Sequence, residues 1–515
     1  MPANDTYVGR ILRVLAADPD RTVLTWQDGV LTAGAFTTAV RTAAQTLLRH
    51  GGEAADGGTG AVVAILTTTN SPATLILRYA ANLIGATAVH LHTTNAVDPG
   101  DRLTRDAELG ILTETGATVL AVDAAHLPLA RDLAARLPKA PALAALADLG
   151  PDVLDLSTGA DTDPPETPIP PDRAAVITYT SGTTGRPKGI AVDFRTRNGF
   201  ITAGLQMAWR AVYLATLPMS HSSGATADDS LASGGSVILH QGFDAGRVLR
   251  TVAEHRVTRL LITPPQLYRL MDHPESAATD LSSLVMLCYT GSPASPARLA
   301  EAVERFGDVL IQIYGTSEAG AIGMLTPAEH REPDLRGTVG RVLAGEVRVR
   351  DPHDHRDLPT GELGEICVRS PFAMREYLGD PELTARTVRD GWVHTGDLGR
   401  LDERGYLHLS GRLADVVKTN GIKIHPTTVE NALTAHPGVL QAAAFGVPDG
   451  DLVEHLHAAV VLRDGAATTE ADLREHLATA LSPQHVPAVL AVRPDLPLTP
   501  TGKPDRARLV ADTRR

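Results

Sequence analysis

The sequence predicts an α/β fold, on three observations. Helical stretches and short apolar runs alternate over residues 1–150. The same rhythm resumes at AAVITYT, after a Pro-, Asp- and Thr-rich stretch. Residues 340–409 then turn to short strand-like runs, and a βα alternation of its own follows Arg412.

In chain order, GAFTTAVRTAAQTLLRHG is the first long helical pattern, with AVVAILT (61–67) and ATVLAV (117–122) as strands. The segment GPDVLDLSTGADTDPPETPIPPD, 150–172, reads as a surface connection inside one domain. EVRVRD, ELGEICVRS and GYLHLSGR predict a β-rich subdomain. Beyond Arg412, VENALTAHPGV and ADLREHLATAL predict helices, and AAAFGVPD and HAAVVLRD predict strands. The expected division is a large domain, 1–411, and a small C-terminal one, 412–515.

Bulk composition sets limits. At 515 residues the chain is too long for one core, and with 43% hydrophobic but only 4% aromatic residues that core is mainly Ala, Val, Leu and Ile. A net charge of −13 argues against general affinity for nucleic acid or anionic membrane. Two isolated cysteines, Cys288 and Cys367, exclude a disulfide framework or a cysteine-rich zinc site. With no basic-then-apolar N-terminal pattern and no run of about 18 apolar residues, a cytoplasmic protein is expected.

Only five of the 47 basic residues are lysines. Four of them fall in three short motifs: Lys188 in TSGTTGRPKG, Lys418 and Lys423 in GRLADVVKTNGIKI, and Lys503 in LTPTGKPDR. A compact ammonium does not substitute for a planar guanidinium, so these positions are candidates for point-charge chemistry. In YTSGTTGRPKGI, small residues let backbone N–H groups and hydroxyls surround phosphate oxygens, and Lys188 adds charge. Pro187 and Gly189 exclude a Walker A loop.

That segment resembles the AMP-binding signature of the adenylate-forming enzymes: acyl- and aryl-CoA ligases, luciferases and the adenylation domains of peptide synthetases. The other motifs follow in order across nearly the whole chain. The resemblance implies a large domain of two α/β subdomains plus a β-rich one, and a small mobile α+β domain. It implies ATP and Mg²⁺. Thr180, Ser181, Gly182, Thr183, Thr184, Gly185 and Lys188 would hold phosphates. Tyr289 to Pro293, YTGSP, is similar to the adenine-side loop, with Gly291, Ser292 and Pro293 against the base and Tyr289 toward the substrate. In YGTSEAG, Tyr314 would stack on adenine beside Gly315, Thr316 would meet the α-phosphate, and Glu318 would hold Mg²⁺. Asp397, in HTGDL, and Arg412 would contact the ribose.

Lys503 resembles the family's catalytic lysine, bridging substrate carboxylate and α-phosphate as an acyl-adenylate forms. The C-terminal domain would then rotate, bringing Lys418 and Gly421 to the pantetheine path. The family's hinge is an Asp or Lys where this chain has Ala414, followed by Asp415. A small residue can absorb such a backbone change.

His221, in LPMSHSSG, matches the residue between acyl pocket and thiol tunnel. The helix after it carries Asp228 and Asp229. Because an unpaired buried carboxylate is costly, a substrate ammonium is expected to compensate it. In the α-amino acid enzymes of the family the aspartate directly follows the His221 position, where this chain has Ser222; the displaced acid implies a β-amino acid. If Ser222 faces the pocket, Asp229 shares its face and Asp228 turns away. This is similar to the standalone ligases that load β-amino acids onto carrier proteins in macrolactam pathways. The expected acceptor is a discrete acyl carrier protein; the alternatives are free CoA, for an acyl- or aryl-CoA ligase, and a catalytically silent nucleotide-binding relative. DPHDHRD, 351–357, is read as a turn rather than a metal site, and His455 and His457 as residues flanking a sheet.

Overall fold

The computed structural model describes residues 5–513 apart from 52–59, 92–102, 163–167, 181–186, 206–208, 420–421, 450–453 and 500–502. It is α/β throughout, and the chain divides into two compact units. The first comprises Met1–Leu261, Thr279–Val285 and Pro371–Arg386; the second comprises Ile262–Ala278, Met286–Ser370 and Thr387–Arg515.

In the first unit an eight-stranded sheet is built around Val62–Leu66, Thr87–His90 and Val119–Val122. These strands pair in parallel, and Thr87–His90 and Val119–Val122 are buried along their whole length. That is why Val119–Val122 reads as a continuous apolar run, since helices cover both faces of a parallel sheet. The parallel run ends at Ala174–Thr180, which pairs antiparallel with Lys188–Asp193 and sets Thr180 opposite Lys188. The predicted surface connection is more structured than expected. Val153–Asp155, three residues inside it, pair in parallel with Ala142–Ala145 and add an edge strand.

A second group of strands in this unit includes Val212–Ala215, Ser236–Leu239 and Arg259–Ile262. Between the first two runs the helix Ser222–Ala232, whose Ser223, Ala227, Asp228, Ser230 and Leu231 are buried.

In the second unit, Met286–Thr290 and Leu310–Thr316 are parallel, and Leu310–Thr316 turns back into Gly320–Leu325. The β-rich part appears as predicted: Glu346–Arg350, Gly364–Arg369, Trp392–Leu401 and Leu407–Arg412 form an antiparallel ladder. Beyond the turn Leu413–Asp415, the helices Pro426–Ala435 and Glu470–Ala480 pack on the strands Val439–Pro448 and Glu454–Leu462 through Val429, Leu433, Leu456, Leu473 and Leu477. His455 and His457 lie on that sheet, as expected. Among the described residues no helix is long and apolar enough to cross a membrane.

Candidate active site

Three separate motifs of the second unit converge on one carboxylate. Register makes Asp397 and Arg412 direct cross-strand partners. Arg412 Nε donates to Asp397 Oδ1 at 2.7 Å, and the Tyr314 hydroxyl donates to Oδ2 at 2.7 Å. Burial raises the Asp397 pKa, with Arg412 and the Tyr314 hydrogen bond opposing it and Glu318 adding to it. The Tyr314 hydroxyl is pushed well above its ordinary value by the same burial and by Asp397.

Lys503 arrives from the far end of the chain. Gly291 sits in the left-handed region, φ +94°, and a Cβ there would lie 3.2 Å from Lys503 Cε. Desolvation and Arg412 lower the Lys503 pKa, while Asp397 and Glu318 act in the other direction. Two carboxylates and two cations therefore share one electrostatic neighbourhood. Glu318, which acts electrostatically on Lys503 and Arg412, is the hard oxygen donor of this group and the residue type that a magnesium ion shared with phosphates takes.

The rest of these motifs serve the backbone. Thr316 Oγ1 accepts from the Ala319 N–H at 3.0 Å, closing the turn that presents Glu318. Gly315 is required there, because a Cβ would meet the Gly320 carbonyl oxygen at 2.3 Å. Ser292 and Pro293 follow Gly291 in the turn before the helix Pro296–Phe306. Tyr289 corrects the expectation for the substrate pocket: it is fully buried, and its hydroxyl is held by Gln312 Oε1 at 3.1 Å and His330 Nε2 at 2.8 Å, so it is a core side chain. Lys418 and Lys423 are exposed and opposite one another across a two-stranded hairpin. Gly421 lies outside the described residues.

In the first unit, Lys188 opens its strand with Nζ 5.8 Å from the Tyr377 ring centre. Ser181, Gly182, Thr183, Thr184 and Gly185 lie outside the described residues. His221 is the N-cap of the helix Ser222–Ala232. Ser222 is exposed and Asp229 half-buried, whereas Asp228 is buried, the face division that helical spacing predicts.

Asp228 does not await a substrate cation. Asp228, 1% exposed, is ion-paired with both Arg78 and Arg197 and accepts from the Tyr79 hydroxyl at 2.6 Å. Asp229 is paired with Arg259. The expected demand for an ammonium is thus met within the protein at Asp228, whereas Asp229 Oδ1 is buried and has no hydrogen-bond partner among the described residues. The sequence carried a signal for this: Arg78 interrupts the helix PATLILRYAANL, where an arginine flanked by leucine, isoleucine and tyrosine needs a buried partner.

His355, Glu365 and His394 bring potential metal-ligand atoms within 4.8 Å of one another. His394 Nδ1 lies 2.8 Å from Glu365, however, and Arg389 donates to His355 Nε2. A guanidinium inside the cluster and an imidazole lone pair already engaged make it a hydrogen-bonded network on the strand Trp392–Leu401, which carries Asp397.

Comparison with known proteins agrees with this architecture. Residues 12–378 match the family described as AMP-binding enzyme, and residues 428–503 match the AMP-binding enzyme C-terminal domain. The chain is 34% identical over 476 residues to the medium/long-chain-fatty-acid–CoA ligase FadD8 of Mycobacterium tuberculosis, covering 88% of this chain and 81% of that protein. It is 33% identical over 353 residues to the fatty acid–[acyl-carrier-protein] ligase ScoC of Streptomyces coeruleorubidus, covering 67% and 68%. The solved structure of the amide bond synthetase McbA from Marinactinospora thermotolerans superposes with a TM-score of 0.86 at 33% identity, over 99% of this chain and 100% of that one. The chain belongs to the AMP-binding enzyme family and is an ATP-dependent, AMP-forming ligase.

Proposed function

We propose that this enzyme activates a small carboxylic acid as its acyl-adenylate and passes the acyl group to the phosphopantetheine thiol of a separate carrier protein. The carrying observation is Lys503 lying against Gly291, in the field of Asp397, Arg412 and Glu318. In the first step a carboxylate oxygen attacks the α-phosphorus of ATP; the new C(O)O–P bond forms as the α–β P–O bond breaks, and pyrophosphate leaves. Lys503 offsets the charge that develops between carboxylate and α-phosphate. Asp397 and Arg412 orient the ribose, and Thr180 and Lys188 belong to the phosphate loop. Glu318 would hold Mg²⁺, which supplies charge neutralisation at the phosphates when bound. In the second step the thiol sulfur attacks the acyl carbon, its proton is lost to solvent, and AMP leaves. Residues 412–515 turn between the steps, withdrawing Lys503 and presenting Lys418 and Gly421, with His221 at the acyl–thiol junction.

ScoC, named for a carrier-protein acceptor, supports the thiol on a carrier; FadD8, named for CoA, supports the alternative of free CoA. A second substrate reading, a β-amino acid, is favoured by one observation: Asp229 Oδ1 is buried and has no hydrogen-bond partner among the described residues. ATP–pyrophosphate exchange over a panel of acids, followed by trapping of the adenylate with holo carrier protein or CoA, tests the whole reading. Exchange with no acid of any class defeats it. Product formation with CoA but not with carrier protein replaces the acceptor.

A further inference from the structure

The buried cluster under the helix Ser222–Ala232 is not electrically balanced. Arg78 and Arg197 both pair with the single carboxylate of Asp228. Their other close neighbours, Tyr7 and Tyr79, are phenols whose pKa burial raises, so they stay neutral. Two guanidiniums against one carboxylate leave a net positive charge where water is largely excluded, and such a charge is costly unless an anion meets it.

Further observations point the same way. His90 is 2% exposed, and its Nε2 has no partner among the described residues. Arg78, His221 and Arg197 all act on it electrostatically. Burial and those cations keep its imidazole neutral, so it can donate a hydrogen bond without adding charge. His221 caps the helix Ser222–Ala232, whose N-terminus adds a partial positive charge. Within the cluster Asp228 and Arg78 are sealed at 1% and 2% side-chain exposure, and Arg197, at 11%, is the cation that a solute can reach.

We propose that the acyl substrate carries a second acidic group, a carboxylate or sulfonate distant from the carboxylate that is activated, and that Arg197 is the specificity-determining residue that pairs with it. This rests on the reading above, in which His221, the N-cap residue of the helix Ser222–Ala232, stands at the acyl–thiol junction.

The test is ATP–pyrophosphate exchange with size-matched acids of three lengths: dicarboxylates, their monoamides, and ω-amino acids including β-alanine. The expected result is kcat/KM at least ten-fold higher for the dicarboxylate than for the monoamide at the preferred length. Arg197→Gln should bring the two to near parity, mainly through KM, and Arg197→Lys should restore part of the preference. The Gln variant should keep its melting temperature, because it leaves Asp228 and Arg78 as a one-to-one pair. If it does not fold, Arg197→Lys alone must still lower the preference. Three outcomes overturn the proposal: wild-type preference for monoamides or amino acids, an Arg197→Gln enzyme with unchanged discrimination, or one that loses all acids equally, which would make Arg197 a partner of the reacting carboxylate. Robust exchange with neutral acids only would leave the adenylation reading standing and defeat this one, whereas no exchange with any acid defeats both.

Discussion

Gly291 and Lys503 lie 212 positions apart in the sequence, yet a single methyl group on Gly291 would sit 3.2 Å from the Lys503 side chain. The glycine is needed twice over, for its φ of +94° and for the space it leaves. Gly291→Ala should therefore lower adenylation at saturating acid while the protein stays folded. A left-handed non-glycine residue costs roughly 1–2 kcal/mol, so a small loss in melting temperature is expected alongside the larger kinetic one. Unchanged exchange kinetics would show that Lys503 does not work from this position.

The pH dependence of adenylation should carry Lys503's signature. Desolvation and Arg412 lower its pKa, so the ammonium is lost at lower pH than for an ordinary lysine. The alkaline limb of pyrophosphate exchange should accordingly fall below the ordinary lysine value of 10.5. Arg412→Gln removes one lowering influence and should move that limb upward. A limb that stays put in the variant argues for a different titrating group.

Asp228 and Asp229 should differ sharply when mutated. Asp228→Ala strands two buried guanidiniums, and breaking a buried pair from one side costs about 3–5 kcal/mol. Asp229 and Arg259 are each 18% exposed in their side chains, so Asp229→Ala should cost much less. Chemical denaturation of both variants reads the difference directly. Equal costs would mean that the Arg78–Asp228–Arg197 cluster is not the tight network described above.

Acid sensitivity should trace in part to His240. Burial holds its pKa at about 4, below the ordinary value of 6.5. The folded protein keeps this imidazole neutral while the unfolded chain protonates it. Its contribution to stability is thus complete above pH 6.5 and is lost as pH falls from 6.5 toward 4, at up to about 1.4 kcal/mol per pH unit. His240→Gln should flatten the stability–pH curve in that window. Parallel curves for the two proteins would assign the acid loss elsewhere.

How much was legible in the sequence depended on the range of the interactions. Val62–Leu66 and Val119–Val122 were readable because strands of a parallel sheet covered on both faces are apolar nearly throughout. The motif positions Gly291, Gly315 and Asp397 stood out because they answer to local backbone demands or to a fixed register. Asp228 was misleading because its partners, Arg78 and Arg197, lie 150 and 31 residues away, and single-sequence patterning cannot tell a carboxylate waiting for a ligand from one already paired. Tyr289 was misplaced for a related reason: a tyrosine beside a ligand loop and a tyrosine in the core look alike until Gln312 and His330 are seen to hold its hydroxyl. Val153–Asp155 was hidden by its Pro- and Asp-rich surroundings, since an edge strand needs only a neighbour with free backbone groups.

The most direct test of the central claim separates the two half-reactions in Lys503→Ala. ATP–pyrophosphate exchange should fall by about 100-fold or more, the scale on which a single charge-stabilising group acts. Transfer from a preformed acyl-adenylate to the thiol should continue at close to the wild-type rate. Exchange that persists in the variant, or transfer that collapses with it, would contradict the assignment of Lys503 to adenylation alone.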